Sequence, residues 1–532
     1  MKKIYAKVIW LLLLFAITTS CSKLLEEKPL SGITVDYLYT TPGGLEVGVN
    51  ALYSLQRANN TPEYELSPLQ SNVFFMAGTD LGLVRTWFDP YNTTQLHRAQ
   101  DQAWLLKWSK PYQIIDRASA LINSARNIQM DATAKNKLVA QARVIRGELY
   151  LDLITMFDRI LLDTIPTTPE NAFDSVTYAP ANPADIYQLI DADLDFAIAN
   201  LDWAVDYGRY GQGVARHLKG KSALWQGKWS EAAAQFDAIV NNGTHHLVPI
   251  DQVFGQNLQH AEALFVYTRN AKLGPANPGT NNGDVLAGGG GTWLDAVFNN
   301  RLYELNTGEI IQTVDNGGQS LGWVYPNDYL KSLYDTVIDR RYTNYYYPSP
   351  WVLTVNNPAK PNFGQKLPYS SKEKDWRKIH WSLKKYHDAD VTSKPLSSDY
   401  SFKDIMYYRF AETLLLGAEA HWHLSGENPA DVTALQYVNM VRARAGLGNY
   451  TTFTLDNFLD EHAREMAMEK DRWFLLKRLG KLVERQNLHY VYQSGPTSSP
   501  LNRKMLPYMV SCPIPQSEID RMGSSFPQNE GY

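Results

Sequence analysis

The position of Cys21 specifies a chemistry more clearly than that of any other residue in this 532-residue chain. It follows a basic N-terminal stretch, an apolar run over residues 8–17 and small polar residues at 18–20, which is the order of a secretory signal peptide. The apolar run is about half as long as the ~20 residues that a membrane-spanning helix needs. A cysteine directly after the small residues indicates a bacterial lipoprotein signal, although Thr18 occupies the position where leucine is usual. The alternative is an ordinary signal peptide with a chance cysteine. We expect residues 1–20 to be removed and Cys21 to carry lipid.

Sequence signatures of catalysis are sparse. The chain contains no HExxH, P-loop, GxSxG or paired CxxC motif, and the run Gly288–Gly291 lacks the preceding strand that a phosphate-binding loop needs. His421 and His423 lie two residues apart, so on a helix they point in different directions and do not share a metal ion. A carboxylate pair for glycoside hydrolysis stays open, because 55 acidic residues offer many pairs. We expect a protein without catalytic residues, metal or cofactor; a surface glycoside hydrolase is the remaining enzymatic alternative.

Aromatic residues in loops give better support for binding. The chain has 32 Tyr, 14 Trp and 18 Phe residues, and several of them lie in stretches rich in Gly, Asn and Pro, where a helix core does not explain them. Flat aromatic rings suit the apolar C–H faces of sugars, while side-chain amides bind hydroxyl groups; peptide side chains would fit equally well. The alternative is that each ring only packs its own loop. The candidate ligand-binding residues are Trp87, Asn92, Trp293, Trp323 and Tyr325.

Charge and cysteine content exclude other classes of partner. Removal of residues 1–20 lowers the net charge from −4 to −7, since that segment carries three lysines and no acid. This acidic balance argues against nucleic acid, which requires concentrated Lys and Arg. Cys21 and Cys512 are the two cysteines, so a lipid on Cys21 leaves no disulfide. No later segment is apolar enough to span a bilayer, so we expect contact with the membrane through the lipid anchor only.

Hydrophobic periodicity predicts a largely helical protein. Two short helices are predicted on either side of a turn at Gly227. Their small residues, together with the large Trp229 and Phe236, fall near the spacing of a tetratricopeptide repeat, so the pair resembles one such repeat. Between about residues 245 and 400 the periodicity weakens, and we expect short strands, turns and ordered surface loops on the helical scaffold. The predicted helical segments are 44–57, 109–128, 134–157, 183–201, the pair within 213–242, 403–424, 430–445 and one long helix over 455–479.

Three stretches carry a resemblance to a known family. The segment RFAETLLLGAEA (409–420), followed by VRARAG (441–446), and the ending CPIPQSEIDRMGSSFPQNEGY (512–532) closely resemble the SusD/RagB family, the surface lipoproteins with which Bacteroidota take up nutrients. The segment 141–166 is similar to an N-terminal helix of that family. The likeness therefore extends over nearly all of the chain that follows the signal peptide.

One late helix departs from the family pattern. His462, Lys470 and Leu475 replace the Arg, Gly and Asp that are usual there, while three charged residues of the pattern remain. We interpret the retained residues as structural, forming a buried hydrogen-bonded network that fixes the helix rather than a ligand site. They are Glu469, Arg472 and Arg478.

The resemblance implies a mostly α SusD-like fold, in which tetratricopeptide-like helix pairs carry a loop-rich ligand-binding face with few short strands. It implies a single domain over residues 21–532, with an N-terminal helical part (about 21–245), a loop-rich part (about 246–400) and a C-terminal helical part (about 401–532). It also implies lipid attachment at the surface of the outer membrane and a partner, a TonB-dependent β-barrel of the SusC type. The implied ligand is an oligo- or polysaccharide; peptides, as in the RagB-like branch, are the alternative.

Overall fold

The computed structural model defines the chain over most of its length. The residues that it describes are 35–60, 73–84, 98–168, 170–273, 291–300, 308–311, 313, 318–347, 354–366, 380–390, 396, 398–490 and 505–532. Within these ranges no helix combines the length and the apolar character needed to cross a bilayer. Cys21 lies outside the described residues, so the lipidation of its thiol stays a prediction.

The described part of the chain is mainly helical, with four short strands. In the first half the helices are α1 (Val35–Thr40), α2 (Pro42–Asn60), α3 (Val73–Ala77), α4 (Gln102–Ser124), α5 (Ala132–Phe157), α6 (Pro183–Asn200), α7 (Gln212–Trp225) and α8 (Trp229–Asn242). In the second half they are α9 (Leu294–Phe298), α10 (Asp328–Ser332), α11 (Arg341–Tyr345), α12 (Phe410–Leu424), α13 (Val432–Ala445), α14 (Leu455–Met466), α15 (Arg472–Arg478), α16 (Leu482–His489) and α17 (Gln516–Met522). The strands are β1 (Gly82–Val84), β2 (Ala263–Tyr267), β3 (Val324–Pro326) and β4 (Ile405–Arg409). This content confirms the prediction of a mostly helical fold with few short strands.

Consecutive helices pack as neighbouring pairs, most extensively α5 with α6, α7 with α8 and α12 with α13. The turn between α7 and α8 uses Gly227 at φ +67°, a conformation that glycine adopts without steric cost. Gly220 lies so close to the ring of Phe236 that a Cβ atom there would be 2.5 Å from the ring. The predicted pair within 213–242 is therefore confirmed, and small residues let its helices approach around a large aromatic ring.

Helix α4 begins seven positions before the predicted start at residue 109. Trp104 and Trp108 lie on its first two turns and are almost fully buried in the main hydrophobic core. The hydrophobic periodicity is weak before Pro111, so the sequence did not predict these first turns. Burial of the two indole rings stabilises them.

The strands form two antiparallel two-stranded sheets, β1 with β3 and β2 with β4. Leu83 pairs with Tyr325 in the first sheet, and Phe265 pairs with Tyr408 in the second. The prediction of a helix over residues 403–424 was therefore wrong at its start, because Ile405–Arg409 is extended and α12 begins at Phe410. Pairing with a strand about 140 residues earlier in the chain overrides the local helical pattern.

The prediction of one long helix over residues 455–479 was also wrong, since α14 ends at Met466 and α15 begins at Arg472. Two buried cations bind the carbonyl groups at the break. Arg409 Nη2 donates to Glu465 O at 2.7 Å, and Lys385 Nζ donates to Glu465 O at 2.8 Å and to Ala467 O at 3.0 Å. Positive charge at a helix C-terminus satisfies carbonyl groups that a continuing helix would have used.

The side chain of Glu465 lies at the centre of a buried ion network. Its carboxylate accepts from Arg341 at 3.0 Å and from Arg409 at 2.7 Å, and it also contacts Arg444 at 2.5 Å. Burial alone raises the pKa of Glu465, but the three guanidinium groups outweigh burial and hold the pKa well below its ordinary value. The network connects α11, β4, α13 and α14, so it fixes the loop-rich part onto the helices.

The charged residues that the family pattern retains have side chains at most 12% exposed and form hydrogen-bonded ion pairs, as predicted. Glu469 accepts from Arg409 at 2.8 Å, and Arg478 donates to both oxygens of Glu419. Arg472 donates through Nε and Nη2 to the two oxygens of Asp80, at 2.9 and 2.6 Å. These pairs are structural, and the Arg472 pair links α15 to the segment before β1.

The Asp80 pair generates a prediction on pH. Although burial raises the pKa of Asp80, Arg472 and Arg485 lower it from an ordinary 3.8 to about 2. The ionised carboxylate therefore contributes about 2 kcal/mol of stability above pH 4, and this contribution is lost as the pH falls through the folded value of about 2. We expect Asp80→Asn to lower the urea midpoint at pH 7. The difference in urea midpoint between this variant and wild type should become smaller between pH 4 and pH 2.

Asp456→Asn is the matched control, because Asp456 contacts the same Arg485 at 3.8 Å with a side chain that is 89% exposed. It should leave the midpoint unchanged at every pH. If the difference in urea midpoint between wild type and Asp80→Asn stays constant below pH 4, the ionised Asp80 carboxylate is not the source of this stability.

The Glu465 network generates a second prediction. Glu465→Gln removes the charge that three buried arginines share, and breaking a buried ion pair costs about 3–5 kcal/mol. We expect a strongly lowered urea midpoint at pH 7, whereas Glu484→Gln, at an exposed pair with Lys481, should behave like wild type. Equal midpoints for the two variants would show that the network does not stabilise the fold.

A candidate aromatic ligand site

Three half-buried aromatic rings converge where the loop-rich part meets solvent: Trp293, Trp323 and Tyr400. The ring centroids of the two tryptophans are 5.6 Å apart and their planes are nearly perpendicular, at 81°. The ring of Tyr400 lies 5.8 Å from that of Trp293, at 53°. We call these three residues the aromatic cluster. Its rings form an angular, partly exposed apolar surface with one phenol group.

An isolated β-bridge positions Trp293. Thr292 and Ser401 exchange two backbone hydrogen bonds, with N···O distances of 2.8 and 2.9 Å, and this bridge brings Tyr400 beside Trp293. Gly291 makes the close approach possible, because a Cβ atom there would lie only 3.2 Å from the ring of Phe402 and 3.4 Å from that of Tyr400. The cluster therefore depends on pairing between segments that are far apart in sequence.

The short helix α9 connects the two tryptophans. Trp293 immediately precedes α9 and its carbonyl group accepts from Val297 N at 2.9 Å. At the other end, Val297 O accepts from Trp323 N at 2.9 Å, and Ala296 O accepts from Leu321 N at 2.8 Å. The segment before β3 thus satisfies carbonyl groups that the last turn of α9 leaves without an intrahelical donor, and it holds Trp323 against Trp293.

Two buried carboxylates hold the base of the cluster. Asp388 Oδ2 accepts from Phe402 N at 3.0 Å and from the Ser401 hydroxyl at 3.3 Å. Asp295, in α9, accepts from Asp388 N at 3.2 Å and from the side-chain amide of Asn299. Because both carboxylates are almost fully buried, these hydrogen bonds are made without competition from water.

A buried lysine lies beneath the same segment. Lys403 Nζ donates to Phe254 O at 2.8 Å. Burial lowers the pKa of Lys403 to about 8, although Asp295, Asp388 and Asp404 favour the charged form. Arg269 also fixes this segment. Its Nη1 donates to Gly291 O at 2.7 Å, and its backbone N donates to Asp404 Oδ1 at 2.6 Å. The aromatic cluster therefore rests on a base of charged groups that bind backbone carbonyl and amide groups.

The structure brings together two of the five predicted site residues, Trp293 and Trp323. Tyr325 lies in β3, where it is only 3% exposed, and its ring is 5.0 Å from that of His380. Trp87 and Asn92 lie outside the described residues. A direct ligand contact of any of the five stays a prediction.

Sequence reasoning missed Tyr400, Asp295 and Asp388. Tyr400 lies in the stretch VTSKPLSSDYSF (391–402), which contains none of the Gly and Asn residues that marked the predicted stretches, so the search did not select it. The two aspartates carry no local signal, because their importance comes from burial and from the segments that they join.

The histidines considered as metal ligands have other partners. His421 Nε2 lies 2.9 Å from Asp237 Oδ1, and His423 stacks on Trp229 with ring centroids 4.3 Å apart. Among the described residues, no group of three His, Cys, Asp or Glu side chains is arranged to hold a metal ion.

Comparisons with known proteins agree with this architecture. A model described as the SusD family matches residues 262–532. A SusD-like protein from Bacteroides ovatus is 23% identical over 478 residues, which cover 87% of this chain and 80% of that protein.

Two solved structures are similar over almost the whole chain. One is a laminarin binding SusD-like protein, with 22% identity, a TM-score of 0.69 and coverage of 93% of this chain and 100% of that one. The other is surface glycan-binding protein A from Bacteroides thetaiotaomicron in complex with laminarihexaose, with 19% identity, a TM-score of 0.71 and coverage of 92% and 100%. At such identities the likeness shows the fold, which confirms the predicted SusD-like architecture.

The polar base of the cluster generates a prediction that needs no ligand. Asp388→Ala leaves the amide of Phe402 without its acceptor, a loss of about 1–3 kcal/mol for a buried donor. We expect the segment carrying Tyr400 to loosen, so the near-UV circular dichroism of the cluster should fall while the far-UV helical signal is kept. The exposed Asp390, two residues further on, gives the control Asp390→Ala. Unchanged near-UV spectra in both variants would contradict the role of Asp388.

Proposed function

Because this chain belongs to the SusD family, we propose that it is a cell-surface lipoprotein that binds an oligo- or polysaccharide and delivers it to a TonB-dependent, SusC-like β-barrel in the outer membrane. The family is one of non-catalytic binding proteins. The observation that carries the proposal is the aromatic cluster, in which Trp293 and Trp323 present two rings at nearly right angles.

The cluster suits the chemistry of a sugar chain. One indole face can cover the C–H face of a pyranose ring, while the perpendicular indole contacts the edge of the same or the next unit. The hydroxyl group of Tyr400 adds a polar contact for sugar hydroxyls. Since α9 and the Thr292–Ser401 bridge already hold the rings, binding does not need to order them, and this lowers its entropic cost.

The similar solved structures support a glucan as the ligand class. One is named for laminarin, and the other was determined with laminarihexaose. A β-glucan is therefore the first ligand that we propose for this chain. Trp87 and Asn92 are proposed to extend the site from outside the described residues, and Tyr325 is proposed as a further ligand contact, although it is only 3% exposed.

The proposed delivery of the glycan to the barrel would explain the lipoprotein signal and the scarcity of catalytic motifs. A lipid on Cys21 would hold the protein at the outer surface of the membrane, where large glycans are accessible. The barrel and its TonB system would supply the energy of import, so the lipoprotein needs to bind and release but not to react. A binding protein of this kind has no need for a nucleotide, metal or catalytic group.

The first measurement is a glycan array on the form that starts at residue 22, followed by calorimetry on the strongest hit. We expect saturable binding to a glucan, and at least about tenfold weaker binding for Trp293→Ala and Trp323→Ala, equivalent to ~1.4 kcal/mol each. Phe173→Ala is the control, because that side chain is 95% exposed on a loop of the N-terminal helical part.

Two outcomes would contradict the proposal at different levels. Full affinity after both tryptophan substitutions would show that the cluster is not the glycan site. Binding of oligopeptides, with no response to any glycan, would instead replace the ligand class and favour a RagB-like protein.

A further inference from the structure

The connection between α5 and α6 exposes large apolar side chains on an otherwise well-packed helical part. Phe173 is 95% exposed, Ile165 72% and Val176 59%, and Tyr178 is also exposed. Single exposed apolar residues are ordinary, but four between residues 165 and 178 concentrate exposed apolar surface on one connection, and such a concentration is typical of an interaction surface. We call residues 160–168 and 170–182 the apolar loop.

The backbone of the apolar loop is held in place by the scaffold. Two buried tyrosines of α4 and α5 bind it, since Tyr112 OH exchanges hydrogen bonds with Leu161 and Tyr150 OH exchanges them with Asp163. Near its end, the Ser525 hydroxyl donates to Tyr178 O at 2.6 Å. The loop is therefore anchored to the scaffold on both sides of Phe173, which reduces the ordering cost of binding a partner.

The apolar loop lies beside the N-terminus of the described chain. Thr167 N donates to Asp116 Oδ1 in α4 at 2.7 Å. Helix α1 also contacts α4, and Tyr39 of α1 has a pKa raised by burial and by the same Asp116. Residues 21–34 precede α1 and can extend at most about 50 Å. A lipid on Cys21 would thus keep this loop within reach of proteins embedded in the membrane.

The charge of the apolar loop decides between a lipid surface and a protein. Residues 160–182 include Asp163, Glu170 and Asp174 and contain no Lys or Arg. Acidic side chains repel an anionic membrane surface, where docking segments are normally basic. The same charges suit a protein that offers an apolar pocket with basic side chains at its rim.

We propose that the apolar loop is the surface through which this protein docks on its membrane-embedded transporter, with Phe173 as the central anchor. This inference rests on the proposed function, because it identifies a contact surface for the partner named there. Large exposed aromatic residues surrounded by smaller contacts are typical of the few positions that dominate binding at an interface.

The test uses the full-length lipidated chain and the purified SusC-like barrel of the same bacterium in detergent. We expect Phe173→Ser/Val176→Ser to weaken association with the barrel at least tenfold, while glycan affinity is unchanged. Val337→Ser/Ile338→Ser is the matched control, because it removes two exposed apolar side chains from the loop-rich part. Unchanged glycan affinity in both double variants shows that they are folded.

The remaining outcomes overturn the inference in distinguishable ways. If wild type and Phe173→Ser/Val176→Ser bind the barrel equally, or if the control variant loses as much affinity, the docking surface is elsewhere and the proposed function stands. If wild type does not bind the barrel, the proposed delivery role fails together with the inference. Loss of binding to phosphatidylglycerol-containing vesicles in Phe173→Ser/Val176→Ser, with barrel binding intact, would identify a lipid contact instead.

Discussion

The fold depends on burying an extended set of charges around Glu465. Desolvating these groups is costly, and the cost is offset only because each of the buried arginines contacts more than one acceptor. Arg409 shows this directly, since it binds the carboxylates of Glu262, Glu465 and Glu469. Loss of any one of these pairs would leave a buried charge without its partner, so the network favours the arrangement of the elements that carry it. It therefore fixes how β2, β4 and α14 sit together, and with them the loop-rich part.

A chain of buried contacts connects this network to the aromatic cluster. Lys385 binds the carbonyl groups at the end of α14 and the carboxylate of Glu469, and Lys403 Nζ lies 3.4 Å from Lys385 O. Lys403 is two residues after Ser401, whose backbone pairs with Thr292 next to Trp293. The aromatic cluster is thus built at the end of a polar interior, and the placement of its rings depends on the buried residues beneath it.

Sequence reasoning succeeded where a pattern is local and failed where distant segments decide the conformation. Periodicity and the turn at Gly227 located most helices, and the search for aromatic residues in Gly-rich stretches selected Trp293 and Trp323, which the structure places side by side. The strand before α12 and the break after Met466 were missed, because a distant strand and buried cations produce them. Tyr400 was missed for the same reason, since it joins the cluster only through a bridge between segments about a hundred residues apart.

A site of this composition constrains how delivery can work. Affinity that comes from aromatic faces changes little with salt, because no ion pair with the ligand is screened. The carboxylates of Asp295 and Asp388 lie buried beneath the cluster and accept backbone amides, so they serve its support. In the proposed function, release of the sugar would come from competition or from movement imposed by the barrel. Binding through a preformed aromatic surface would then require a separate surface for that partner, and the apolar loop is the surface that we propose for this contact.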